Sequence, residues 1–149
     1  METGLLQLKG KLQAMAVLAE DMVDRAVKAL LEGDAAVAHQ VCSDDDQLDR
    51  MEGEVDELAM QILAAGFESK DLRAISISMK ISNDLERIGD EASTIAKSVI
   101  HLNEQSNWKV PFREEIVAMG EKACLLLREA AQAYSEHDTG KAEQLISQD

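Results

Sequence analysis

A chain of 149 residues is long enough for one domain with a substantial core, since chains of this size bury roughly 70% of the surface their unfolded form exposes. Its formal net charge of −14 is uneven, residues 1–60 holding fourteen Asp and Glu against five Lys and Arg. That balance excludes a nucleic-acid backbone and an anionic membrane surface as direct partners and favours a cation or a basic protein face. Good helix formers dominate, and one Pro, two Phe, one Tyr and one Trp give strands little material, so the chain reads as all-α.

The predicted elements follow from apolar spacing. Leu5, Leu8, Leu12, Met15, Ala19, Met22, Ala26 and Ala29 recur every three or four residues, predicting a first helix from about Thr3 to Glu32. Gly33 suits a C-terminal cap and Asp34 an N-terminal one, so the next helix follows at once and runs antiparallel. Helix two, Asp34 to about Ala65, carries Val41, Leu48, Met51, Val55, Leu58 and Ile62 on one face and closes at Gly66. Its length of about 48 Å makes the bundle elongated. Ser69, with Asp71 behind it, is expected to open helix three, whose stripe is Ile77, Ile81, Leu85, Ile88, Ala92, Ile95, Val99 and Leu102. A polar linker from Asn103 to Val110 ends at Pro111, expected at the first position of helix four. That helix runs to about His137 with Ile116, Met119, Ala123, Leu126, Leu127, Ala130 and Tyr134 as its apolar side.

Cys42 and Cys124 form no CxxC pair, so reduced thiols in the core are expected. No run approaches the ~20 apolar residues of a membrane span, and the first residues do not read as a signal peptide. A cytoplasmic location without membrane insertion is the expectation.

Met15–Asp45 set against Met119–Asp149 without gaps agrees at ten positions: Met15/Met119, Ala19/Ala123, Ala26/Ala130, Ala29/Ala133, Glu32/Glu136, Asp34/Asp138, Ala38/Ala142, Gln40/Gln144, Ser43/Ser147 and Asp45/Asp149. Helix four thus reads as a repeat of helix one, and Asp138 as the cap of a repeat of helix two. The expected organisation is a complete three-helix repeat over residues 1–103, then a linker and partial second repeat over 104–149.

Helix three contains Asn83-Asp84-Leu85-Glu86-Arg87-Ile88-Gly89-Asp90-Glu91-Ala92. The run LERIGD, with Gly33-Asp34 at the first junction, Asp45, Asp49 and Glu52 early in helix two and Asp71-Leu72-Arg73 at the start of helix three, resembles the PhoU family of phosphate-uptake regulators. The resemblance covers essentially the whole chain. It departs in length, because the family has two full repeats. It implies a PhoU-type helical bundle, and a negative regulator of phosphate uptake and phosphate-responsive signalling. Its implied partners are a phosphate ABC transporter ATPase and a sensor histidine kinase, and a homo-oligomer is expected.

The motif also has a reading independent of the family. At 100° per residue Leu85, Ile88 and Ala92 point to the core, while Glu86 and Asp90 lie one turn apart on nearly the opposite face. Carboxylates at i and i+4 repel by a few tenths of a kcal/mol, roughly, which a bound cation would offset. Glu20/Asp24, Asp45/Asp49 and Glu52/Asp56 repeat the pattern, and Asp45, Asp49, Glu52 and Asp56 make one acidic stripe on helix two. Oxygen-only donors suit a hard or borderline cation such as Mg, Ca, Mn or Fe. The resemblance, whose family holds surface metal clusters on E(D)xxxD motifs, assigns the ligand role to Asp45, Asp49, Glu52, Glu86 and Asp90, with Fe, Mn, Mg, Ca or Zn as the ion.

Against this stands the plain alternative that an acidic helical protein places carboxylate pairs on solvated faces by chance, above all at Glu20/Asp24. Arg87 is either a surface ion-pair partner or a donor that orders the metal-binding carboxylates. His39, His101 and His137 complete no Glu-x-x-His motif, and no phosphate loop, catalytic triad or HExxH occurs, so a non-enzymatic protein without catalytic residues is expected. Gly89 reads as a site of close helix approach. Two rival functions remain at this level: a generic helical metal-binding or interaction module, such as a transporter regulatory domain, and a metal-dependent hydrolase, which would need a concave pocket around the acidic stripe.

Overall fold

The computed structural model describes residues 2–66, 68–105 and 108–148. Among the described residues five helices follow in order: α1 (Glu2–Glu32), α2 (Ala35–Ala64), α3 (Ser69–Asn103), α4 (Arg113–Glu136) and α5 (Thr139–Ile146). Helices α1, α2 and α3 pack on one another as a three-helix bundle, and α4 lies against α1 with α5 folded onto α4. The 35 residues of α3 make the bundle elongated, about 52 Å end to end.

The core follows the predicted stripes closely on α1 and α2. Leu8, Met15, Ala19, Met22 and Ala26 on α1 meet Val41, Leu48, Val55 and Ala59 on α2, all fully buried. On α3 the buried face is carried by Ile75, Leu85, Ala92, Ala96 and Val99 and includes Ser78, Ser82 and Ser93. Ile77, expected in that stripe, is exposed, because the core-facing line enters α3 through Ile75, Ser78 and Ser82 instead. Small hydroxyls are tolerated there: Ser78 donates to the Ala74 carbonyl at 2.9 Å, and Ser82 Oγ lies 3.4 Å from Met15 Sδ.

The turn between α1 and α2 is built as read. Gly33 adopts a left-handed φ of 70°, and the Asp34 side chain accepts from the Val37 N–H at 3.0 Å. The α3 cap differs from expectation. Glu68, not Ser69, is the N-cap residue, and it forms a capping box with Asp71, whose carboxylate accepts from the Glu68 N–H at 3.1 Å. The reciprocal bond needs a carboxylate three residues after the cap, which Asp71 supplies only when Glu68 takes that place. Pro111 also falls outside its helix. Phe112, with φ 54°, caps α4, and Arg113 donates to the Leu31 carbonyl at 2.5 Å, so the helix begins where it is tied to the end of α1.

The segment leading to α4 is pinned at the same end. Asn103 Nδ2 donates to the Gly33 carbonyl at 2.6 Å, and Trp108 Nε1 donates to Asn103 Oδ1 at 3.1 Å. Asn103 therefore closes α3 and does not begin the linker; residues 106 and 107 of that linker, like Asp149 of the sequence match, lie outside the described residues. From this anchor α4 runs antiparallel along α1. Val27 meets Gly120, the Cys124 thiol points to the Glu20 carbonyl at 3.7 Å, and Lys9 Nζ reaches the Ser135 carbonyl at 3.4 Å.

The face of α4 turned to the core agrees with the predicted one at Leu127 and Tyr134 and departs from it elsewhere. Cys124, Leu127, Ala131 and Tyr134 pack inward, whereas Met119, Ala123 and Ala130 are exposed. Two apolar lines lie side by side on this helix, and spacing alone cannot say which one α1 covers.

Candidate metal centre

Rotation of α2 and α3 about their own axes is set by their buried residues, and that rotation aims the acidic side chains. With Leu48 and Val55 in the core, Asp49 and Glu52 come to the flank of α2 nearest α3; with Leu85 and Ala92 buried, Glu86 comes to the matching flank of α3. One carboxylate oxygen from each of Asp49, Glu52 and Glu86 lies within 4.8 Å of the other two. The residue that lets the helices approach this closely is Gly89. A Cβ placed on it would lie under 3.0 Å from Leu48 Cδ2, so any other residue forces α2 and α3 apart or displaces Leu48.

The flanking residues occupy distinct places. Asp90, one turn after Glu86, shares a side-chain hydrogen bond with it. Asp45 is one turn before Asp49, with Oδ1 3.6 Å from the Cβ position of Gly89. Thus Asp49, Glu52 and Glu86 converge, Asp90 joins through Glu86, and Asp45 borders the group without belonging to it. Asn83 is the positioning residue that sequence reading overlooked: its Nδ2 donates to Glu52 Oε1 at 3.1 Å across the helix pair. It was legible as a polar residue one turn before Glu86, but nothing in the spacing showed that it faces α2. Arg87 pairs with Asp84 at 3.9 Å, both exposed, which is the ordinary surface role.

Electrostatically the group is under strain. The Glu86 carboxyl is pushed up to about 7 by partial burial first, then by Asp90 through charge and hydrogen bond, and further by the charges of Glu52 and Asp49. Several carboxylates elsewhere have basic partners. Arg25 bridges Asp21 and Asp44, Lys28 binds Asp24 at 2.6 Å, Lys11 binds Glu54 at 2.5 Å, and Arg128 binds Glu20 at 2.9 Å. The Glu20/Asp24 pair is therefore satisfied by Arg128 and Lys28. Among the described residues no Lys or Arg makes a salt bridge with Asp49, Glu52 or Glu86. Three oxygens from three carboxylates on two helices, without a basic partner, fit a hard divalent cation.

A groove of a size to hold a small molecule lies elsewhere. It is a cavity of about 610 Å³ between α1, α3 and α4, lined mainly by aliphatic residues such as Leu12, Leu85, Ile88 and Leu127, and none of the three converging carboxylates enters it. Among the described residues no helix is long and apolar enough to cross a membrane.

The PhoU domain family model matches residues 12–99, more than half of the chain. A phosphate-specific transport system accessory protein PhoU homolog from Pseudomonas aeruginosa is 37% identical over 93% of this chain and 57% of its own length. The homolog from Clostridium acetobutylicum is 31% identical over 99% of this chain and 68% of its own. The crystal structure of PhoU from Pseudomonas aeruginosa superposes with a TM-score of 0.89 at 35% identity, covering 96% of this chain and 68% of that one. The phosphate transport system regulatory protein PhoU from Streptococcus pneumoniae, at 24% identity and a TM-score of 0.88, shares the fold. The chain spans a little over half the length of the Pseudomonas homologs. The matched homologs are accessory proteins of phosphate-specific transport systems, and the chain belongs to the PhoU family.

Proposed function

We propose that this chain is a phosphate-responsive regulator that restrains phosphate uptake through protein contacts with a phosphate ABC transporter ATPase and a sensor histidine kinase in the cytoplasm, with a divalent cation held by Asp49, Glu52 and Glu86. Family membership supports the regulatory part. The observation that carries the metal part is the convergence of three carboxylates within 4.8 Å from two helices, with no salt bridge to a described Lys or Arg. A cation there would neutralise mutual repulsion and tie α2 to α3. Asp45 and Asp90 flank the site and would extend it to a second ion or hold its waters. With three protein donors, a six- to eight-coordinate ion keeps positions open for water or for an oxygen from a partner.

The metal reading is tested by thermal unfolding with Mg, Mn, Ca, Zn and Fe(II), each against sodium at matched ionic strength, because salt alone also relieves carboxylate repulsion. A site-bound ion stabilises by about 2.7 kcal/mol at a hundredfold excess over its Kd. Glu86→Gln with Asp49→Asn should abolish that response and leave the metal-free protein at least as stable. An unchanged response in the double variant sinks the site. The regulatory reading is tested by deletion in the source organism: constitutive expression of phosphate-uptake genes at high phosphate is expected, and normal repression would favour a generic interaction module instead.

A further inference from the structure

The cavity between α1, α3 and α4 is kept open by the way α4 is held. Both α3 and α4 pack on α1, but they do not pack on one another. On the α1 side α4 is fixed by Gly120 against Val27, by the Cys124 thiol at the Glu20 carbonyl, and by Lys9 Nζ at the Ser135 carbonyl. Toward α3 the Tyr134 hydroxyl stands 3.2 Å from Ser78 Oγ and acts as a strut between the two helices. Fixed on one side and propped on the other, α4 cannot close onto α3, and about 610 Å³ lies between them. Of the residues α4 contributes to the wall, only Ala130 is exposed; Leu127, Ala131 and Tyr134 are half-buried against the three-helix bundle.

Shape and lining together define what fits. Leu6 and Ala16 both border the cavity, and ten residues of helix between them span about 15 Å, so the space is a slot along α1. Its floor is Leu12, Ala16 and Leu85, all buried, and its sides include Ile81, Ile88 and Leu127. Such a surface favours an aliphatic occupant over water. Polar groups gather at one end. Lys9 Nζ contacts the Ser135 carbonyl at 3.4 Å and His137 Nε2 at 3.1 Å, and among the described residues no Asp or Glu pairs with it. An ammonium has three N–H donors, so one remains for an anion. Asp84, the acid on the α3 rim, is exposed and turned to Arg87 at 3.9 Å.

We infer that this slot binds a single-chain aliphatic carboxylate of the fatty-acid class, its chain laid along Leu12, Leu85 and Leu127 and its head group at Lys9. The long apolar floor and the one cation at its end are the two features such a ligand needs, and the volume falls within the roughly 300–1,000 Å³ of small-molecule sites. A bound chain would touch α3 and α4 at once and so tie α4 more firmly to the three-helix unit. None of the metal-site carboxylates lines the slot, so the inference stands apart from both the metal and the regulatory readings.

Titration calorimetry of the 149-residue chain with dodecanoate, kept below its micelle concentration and with EDTA present, tests it. Saturable one-to-one binding is expected, with a thermal midpoint that rises as ligand is added. Dodecanol has the same chain without the charge and should bind about tenfold more weakly, and Lys9→Met should lower dodecanoate to the level of dodecanol. Ala131→Phe fills the slot from the α4 wall and should abolish binding of both. Gly10→Met does the same from α1, at a position where an added Cβ meets nothing within 4 Å, and serves should Ala131→Phe fail to fold. Absence of saturable binding overturns the inference. Binding that survives both filling variants overturns it too, because the ligand then lies on another surface. Equal affinity for dodecanol and dodecanoate in the parent chain removes the role given to Lys9 and with it the carboxylate. A chain that floats with phosphatidylglycerol vesicles but ignores dodecanoate would be reading a lipid surface, which is likewise against it.

Discussion

Gly89 offers the sharpest test of how the helix pair is held. Replacing an interior helical Gly by Ala is stabilising by about 1 kcal/mol on propensity alone. Here the new methyl would lie under 3.0 Å from Leu48 Cδ2, in a core where Leu48 is fully buried and has no solvent to move into. Overpacking of this kind costs about 1–3 kcal/mol, so Gly89→Ala should be destabilising on balance, by up to about 2 kcal/mol. For a chain of this size each kcal/mol corresponds to roughly 2–4 °C in Tm. Removing the obstacle should reverse the sign. In a Leu48→Ala background, itself lower by about 2–5 kcal/mol, the next neighbour of the added methyl is Met22 Cε at 3.5 Å, an ordinary contact, and Gly89→Ala should then stabilise by the full propensity gain of about 1 kcal/mol. Denaturant unfolding of the four proteins yields the coupling directly, about 1–3 kcal/mol. Equal effects of Gly89→Ala in both backgrounds would refute the close-approach argument. The single variant should also blunt the metal response, since Asp49 and Glu52 reach Glu86 only while α2 and α3 stay close.

Other outcomes follow from the same geometry. Glu86 titrates near 7 when folded and near 4.5 when free, so between those values the folded protein holds the extra proton and metal-free stability should fall as pH rises through that window. Glu86→Gln removes this slope, gaining about 1–2 kcal/mol over the parent at pH 8, after allowance for solvent screening, and little at pH 5. A slope unaltered by the substitution would assign it to other groups. Asp34→Ala should cost about 1 kcal/mol of global stability as a lost N-cap, whereas Asp138→Ala should fray α5, seen as faster amide exchange over Thr139–Ile146, with little change in the global midpoint. Asn83→Ala should weaken metal-dependent stabilisation without changing metal-free stability by more than about 0.5 kcal/mol, measured by the same melts.

Local chemistry made much of this protein legible in advance. The three-four spacing of Leu8, Leu12, Met15 and Ala19 and the Gly33-Asp34 junction need only neighbours within a turn or two, so α1, α2 and their antiparallel return could be read from the chain. Clustering of Asp49 and Glu52 with Glu86 was accessible as acidic stripes on two helices. Their distance was not, because it depends on Gly89 seating against Leu48 across an interface that no local pattern encodes. The choice between Ser69 and Glu68 as cap turned on a reciprocal bond to Asp71. Tertiary packing selected which of two apolar lines on α4 meets α1, with Gly120 seated against Val27 and the Cys124 thiol against the Glu20 carbonyl. The periodicity of a helix says that a face must be covered; which neighbour covers it is settled by shape and charge between segments far apart in the chain.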